Sequence, residues 1–151
     1  MLFQRVNRTN PEKIFLVAQN SWSTASLTNG QAVQWDFLTD VDGVGVSRPT
    51  ARATNAGVAI AGIAAETIAA GGYGLLQVYG YHSAVRVRTM TGGTPAIEKG
   101  SPLCLNAAGS LFCLENFDTG STNIQVHPCG FALAANAVWT TAAVAAFIKA
   151  L

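Results

Sequence analysis

Short runs of branched and aromatic residues, each closed by glycine, asparagine or proline, constrain this chain more than any other feature. Such runs read as strands, and their closers as turns. Lys13-Ile-Phe-Leu-Val-Ala18 is the first, stopped at Asn20-Ser21. The next stretch turns at Asn29-Gly30, a dipeptide suited to a tight hairpin. Gln31 to Phe37 follows with imperfect alternation: Val33, Trp35 and Phe37 on one face, Ala32, Gln34 and Asp36 on the other. Asp40-Val-Asp-Gly43 is a turn, and Pro49 disfavours helix beside it. Val58 to Ile63 is a further strand. Leu75 to Tyr81 and Ala84 to Arg88 read as one long strand kinked near Gly80 and broken at Gly92-Gly93. Leu103 to Leu105 and Leu111 to Leu114 form a hairpin around Ala107-Ala108-Gly109; Ile124 to Val126 and Phe131 to Leu133 complete the series. Turn signals at this spacing predict an all-β fold, a compact sandwich or barrel-like domain of short antiparallel strands with little helix.

Two segments pull the other way. Ala64 to Ala70 has the composition of a short helix, although Gly62 and Gly71-Gly72 fence it in. The segment from Ala142 to Leu151 places Val144, Phe147, Ile148 and Leu151 at helical spacing, and alanine favours helix.

The glycine cluster Gly71-Gly72-Tyr73-Gly74 invites a phosphate-loop reading. A dinucleotide loop needs a third glycine where Gln77 stands, and the residues after it read as strand. No Lys-Ser/Thr pair follows, so a P-loop is excluded as well. The glycines are turn residues.

Charge is sparse, with 11% Asp, Glu, Lys and Arg against about 25% in an average soluble domain. A chain so short of charge cannot cover its surface well alone, so self-association is expected. The net charge of +1 gives little pull toward DNA or an anionic membrane, and neither nucleic acid nor membrane is expected as a partner. The first residues, Met1 to Arg8, lack the apolar core of a signal peptide, and synthesis in the cytosol is expected. Ala56 to Ala65 is too short to span a bilayer, and Phe131 to Leu151 is interrupted by Asn136, Thr140, Thr141 and Lys149.

Sites of chemistry do not assemble from the sequence. Cys104, Cys113 and Cys129 are odd in number and read as small buried residues. With His82 and His127 they do not match zinc-ligand spacing. Asp40-x-Asp42-Gly43 resembles part of a calcium loop, but Leu38 and Pro49 occupy the first and twelfth ligand positions. His127-Pro-Cys129 and His82-Ser83 do not place a base and a nucleophile together. No enzymatic activity, cofactor or metal is expected.

The order "GVAIAGIAAETIAAGGYGLLQVYGYHSAVRV", then "IEKGSPLCLNAAGSL", then "AAFIKAL" resembles small capsid decoration (cement) proteins and related head structural proteins of tailed bacteriophages. Gly71 to Gly80, Gly100 to Leu111 and Phe147 to Leu151 occupy that family's turn-strand, hairpin and terminal-strand positions. Ile14 to Asn20 and Asn29 to Trp35 fit its front part, so the resemblance spans most of the chain. It implies a structural virion protein on the capsid surface, bound across joints between major capsid subunits. It also implies a homo-oligomer, a trimer before a dimer, and a strand at the C-terminus, against the alanine periodicity. The expected organisation is an N-terminal arm, 1–12, followed by a single β domain, 13–151. The arm offers Phe3, Arg5 and Arg8 as contacts to the shell. Alternative readings are a tail or head-fibre component, or a carbohydrate-binding β module with Trp22, Trp35, Tyr79 and Tyr81 as stacking residues.

Overall fold

The computed structural model describes residues 12–37, 39–40, 42–49, 60–88, 96–105, 114–116, 128–136 and 141–150. Among them all regular structure is strand: β1 (Lys13–Asn20), β2 (Ala32–Trp35), β3 (Gly45–Ser47), β4 (Ile60–Ala64), β5 (Tyr73–Arg88), β6 (Pro102–Leu105), β7 (Leu114–Asn116), β8 (Gly130–Ala132) and β9 (Ala142–Lys149). The order across the sheet is β1-β3-β2-β4-β5-β7-β6-β8-β9, with β5 also paired to β1 and to β9. Those two extra pairings close the sheet into two five-stranded rings that share β5.

β5 can serve both rings because it runs for 16 residues rich in Val, Leu and Tyr. Its first half pairs antiparallel with β1, Val17 opposite Leu75 and Lys13 opposite Gly80. Its second half pairs antiparallel with β9, Gly80 opposite Ile148 and Val87 opposite Ala142. The change-over falls at Gly80, whose φ of 99° is open to glycine but strained for other residues. Beside it the Gln77 amide donates to the Tyr79 and Tyr81 carbonyls, at 3.2 and 3.1 Å, and braces the bend.

The two rings have one design. In each, the first and third strands are parallel (β1 with β3, β5 with β7) and every other pairing is antiparallel. Each carries one isolated bridge, Leu27 to Ile68 in the first and Ile97 to Asn136 in the second. Each bridge is followed by a glycine of positive φ, Gly30 at 81° and Gly100 at 87°. Gly30 N–H donates to Ala64 O at 2.8 Å, and Gly100 N–H to Ala132 O at 2.8 Å. Gln31 N–H donates to Thr28 O, and Ser101 N–H to Glu98 O, both at 3.1 Å. The chain is an internal structural repeat in which β5 ends one unit and begins the next.

Each ring encloses a core. The first holds Ala18, Leu27, Val33, Val46, Ala61, Ala64, Ile68 and Leu76. The second is built on Val85, Val87, Ile97, Leu103, Leu105, Val144, Ala146 and Ile148, and it also takes Ala32 and Ile63 from the first ring. These two are cross-strand partners on the outer face of β2 and β4, so the rings are packed together. That explains the imperfect alternation of 31–37: Val33 and Ala32 face different cores, and both sides of β2 are buried.

The expectation of an all-β fold holds, and closure makes it barrel-like. Two parallel pairings depart from the expected antiparallel set, while the long strand expected to kink near Gly80 is β5. Ala64 to Ala70 is not helical: Ala64 ends β4, and Ile68 bonds back to Leu27. The C-terminal segment is a strand, with Val144, Ala146 and Ile148 buried at a period of two. Alanine's helix preference is a fraction of a kcal/mol per residue. Pairing with β5 on one side and β8 on the other outweighs it. The turn at 107–109, the run 124–126, Cys113 and His127 lie outside the described residues.

Candidate functional site

Cross-strand partners project from the same face of a sheet, and the register of β1, β5, β9 and β8 builds one outward surface. Val17 lies opposite Leu75, and Gln19 opposite Tyr73. A shift between Ile14 and Phe15 brings both of these onto that face, opposite Tyr79 and Gln77. Across β5, Tyr79 is opposite Lys149 and Tyr81 opposite Phe147, and Phe147 is in turn opposite Phe131. Ring geometry agrees. Tyr79 meets Phe147 edge-on at 5.1 Å, and Phe131 stacks on Phe147 at 5.3 Å.

The surface is apolar and uncovered. Among the described residues Ile14, Phe15, Val17, Tyr73, Leu75 and Phe131 account for six of the eight large exposed hydrophobics, with Val17 and Tyr73 each 64% exposed. Charge on the strip comes from Lys13, whose amine sits 5.9 Å over the Tyr81 ring, and from Lys149. Glu66 lies at the other end, its carboxylate accepting from Leu75 N–H at 2.9 Å. A contiguous exposed apolar patch of this kind is the usual mark of an interaction site.

Beside the strip a shallow, open depression is lined by Lys13, Phe15, Asn29, Gln77, His82 and Ser83. His82 Nδ1 accepts from Ala84 N–H at 3.1 Å, which puts the ring proton on Nε2. Burial, and then the Lys13 ammonium, lower the His82 pKa. Ser83, the next residue, is exposed and has no hydrogen bond to the imidazole, so the two do not form a nucleophile and base.

The other candidates are occupied in structural roles. Asp36 accepts from Ser21 Oγ at 2.5 Å and Thr39 Oγ1 at 2.6 Å. Asp40 accepts from the backbone of Asp42 and Gly45, so the calcium-like turn ties itself. Among the described residues no three His, Cys, Asp or Glu side chains gather as a metal site. Cys104 and Cys129 are buried, and neither is in a disulfide. Burial and the neighbouring Cys104 push the Cys129 thiol up, although a backbone hydrogen bond lowers it in part. Sulfur in that state is inert.

The four proposed stacking residues divide. The Arg48 guanidinium lies 5.2 Å over the Trp22 ring, and Trp22 and Trp35 pack against the first core. Tyr79 and Tyr81 belong to the strip, held by Phe147 and Lys13. Phe3, Arg5 and Arg8 lie outside the described residues. Among the described residues no helix is long and apolar enough to cross a membrane. The strip went unread in the sequence because it depends on register between strands far apart in the chain. The local signal was the run of large apolar residues at both alternating positions of β1.

No family model matches the chain, and no curated protein does. Among solved structures it is similar to the N base of head fiber gp8.5 of bacteriophage phi29. The two share 14% identity over 92% of this chain and 96% of that chain, at a TM-score of 0.49. A likeness at that level assigns no role.

Proposed function

We propose that this chain is a head structural protein of a tailed bacteriophage that decorates the capsid and stabilises it. It binds across joints between major capsid subunits and self-associates, as a trimer before a dimer. The observation that carries the reading is the exposed strip of Ile14, Phe15, Val17, Tyr73 and Leu75 on a chain with only 11% charged residues. A face of that kind is stabilised by burial against another protein, and a capsid repeats the contact at many symmetric positions. The family resemblance of the sequence supplies the shell as the partner. The resistance to pressure from packaged DNA would be mechanical, needing neither active site nor cofactor.

Closure of the two rings bears on how attachment works. Strand addition needs an open edge, and ring closure leaves little of one among the described strands, so side-chain burial is the main source of affinity. Burying one such side chain is worth roughly 2 kcal/mol. Co-sedimentation with shells of a tailed-phage major capsid protein tests the reading. The chain should pellet with shells, and Tyr73→Ala/Leu75→Ala should pellet at least about tenfold less at equal concentration, the effect of losing ~1.4 kcal/mol. Full pelleting by that variant would remove the strip from the account.

A further inference from the structure

Within the chain the two units meet at a defined interface. Tyr79 pairs with both Ile14 and Lys149, so β1 and β9 lie on opposite edges of β5. Val87 pairs with both Leu114 and Ala142, which puts β7 on the same edge as β1. Between those two partners that edge is filled by the outer face of the first unit. Gly30 O accepts from Arg86 N–H at 2.8 Å, and Gly30 lies so close to the Ala84 carbonyl that a side chain has no room. Ala32 and Ile63 follow it into the second core.

The repeat gives each half of this interface a counterpart, and among the described residues neither counterpart is covered. The edge corresponding to β5 ahead of Val87 is that of β1 ahead of Gln19, where pairing with β3 begins. Asn20 N–H donates to Gly72 O on the β5 side, and Gln19 N–H to Val44 O on the other. By alternation Phe15 and Val17 aim their N–H and C=O groups away from β5, and no described strand pairs with them there. Their side chains are 42% and 64% exposed. The counterpart of Gly30, Ala32 and Ile63 is Gly100, Pro102 and Phe131, with Pro102 opposite Phe131 as Ala32 is opposite Ile63. Here Gly100 has open space around it, Pro102 is exposed, and Phe131 is 40% exposed.

We propose that these two surfaces join in trans. The Gly100–Pro102–Phe131 face of one copy seats on the β1 edge of a second copy, continuing between chains the interface that joins the two units within one chain. The contact is head-to-tail, so it closes into a ring when its rotation allows and suits the trimer rather than a two-fold dimer. This deepens the functional reading by naming the surface of self-association. It rests on that reading only for the self-association, not for the shell.

Sedimentation velocity on the purified full chain, without shells, tests it. The wild type should sediment as an oligomer heavier than a dimer at high concentration. Val17→Glu and Phe131→Glu should each sediment as monomers. Mixed in equal amounts they should form a dimer and nothing larger, since one intact contact remains: the Phe131 face of the first variant on the β1 edge of the second. Far-UV circular dichroism checks that each variant is folded, and Pro102→Glu replaces Phe131→Glu if that chain unfolds. Wild-type oligomers surviving in either variant, a folded mixture that stays monomeric, or a wild type that is monomeric at every concentration would each overturn the proposal. Shell pelleting is read separately, so a monomeric chain that still pellets fails only this inference.

Discussion

Asn20 shows how a residue taken for a mere turn signal can hold a fold together. The sequence marks it as the end of a strand. In the structure it is fully buried, its amide donating to the Ala25 and Ile68 carbonyls and its oxygen accepting from Trp22 N–H, all at 3.0 Å. It ties the β1–β2 loop to the β4–β5 loop at the mouth of the first ring. Asn20→Ala would remove all three hydrogen bonds, each worth about 0.5–1.5 kcal/mol net, while Ile68 O would keep Leu27 N–H as a donor. A loss of at least about 2 kcal/mol is therefore expected in a urea titration, and a loss under about 0.5 would contradict the staple. His82 gives a pH dependence. Its pKa is lowered from 6.5 by burial first and Lys13 second, so the unfolded chain takes up a proton that the folded chain resists. Stability from this group is complete above pH 6.5 and falls as pH drops below it toward the folded pKa. The urea midpoint should drop between about pH 7.5 and 5.5, and His82→Gln should flatten that drop. An equal drop in both chains would assign it to other groups.

At the level of elements, β5 decides the architecture. Its length, its kink near Gly80 and the alternation within it were legible in the sequence, because local composition carries them. The double ring was not. Ring closure depends on which distant strands pair, and a strand of one ring buries its outer face in the core of the other, which erases the period-two signal at Ala32 to Trp35. The repeat was also hidden, since its mark in sequence is slight: the turn glycines Gly30 and Gly100, and the strand glycines Gly62 and Gly130. For β9 the alanine periodicity pointed to helix, and pairing on both sides decided otherwise. The shared strand and the shared core residues predict that both rings unfold together. Leu76→Ala in the first core and Ile148→Ala in the second, both fully buried, should each cost about 2–5 kcal/mol and shift one common transition. Two separate transitions would show that the rings are independent.

For the molecule as a whole, the scarcity of charge gains a location. The apolar surface that composition left unplaced is gathered on β1, β5, β9 and β8, where register aligns it. The arm, Met1 to Pro11, precedes in sequence Lys13, which starts β1 and belongs to the strip. It carries Phe3 with Arg5 and Arg8, a mixture that suits burial of one ring and rim pairing with carboxylates on the shell. One phenylalanine contributes roughly 2 kcal/mol and each exposed charge about 0.5. Deleting Met1 to Arg8 should leave the unfolding midpoint unchanged and lower shell occupancy several-fold; unchanged occupancy would remove the arm as an anchor.

The claim that all of this serves is attachment to a capsid. Undecorated shells mixed with the purified chain and imaged by electron cryomicroscopy test it most directly. The account predicts added density at symmetry-related positions over the joints between major capsid subunits, saturating as protein is added. Shells that stay bare at saturating protein, or density confined to a tail, would contradict it.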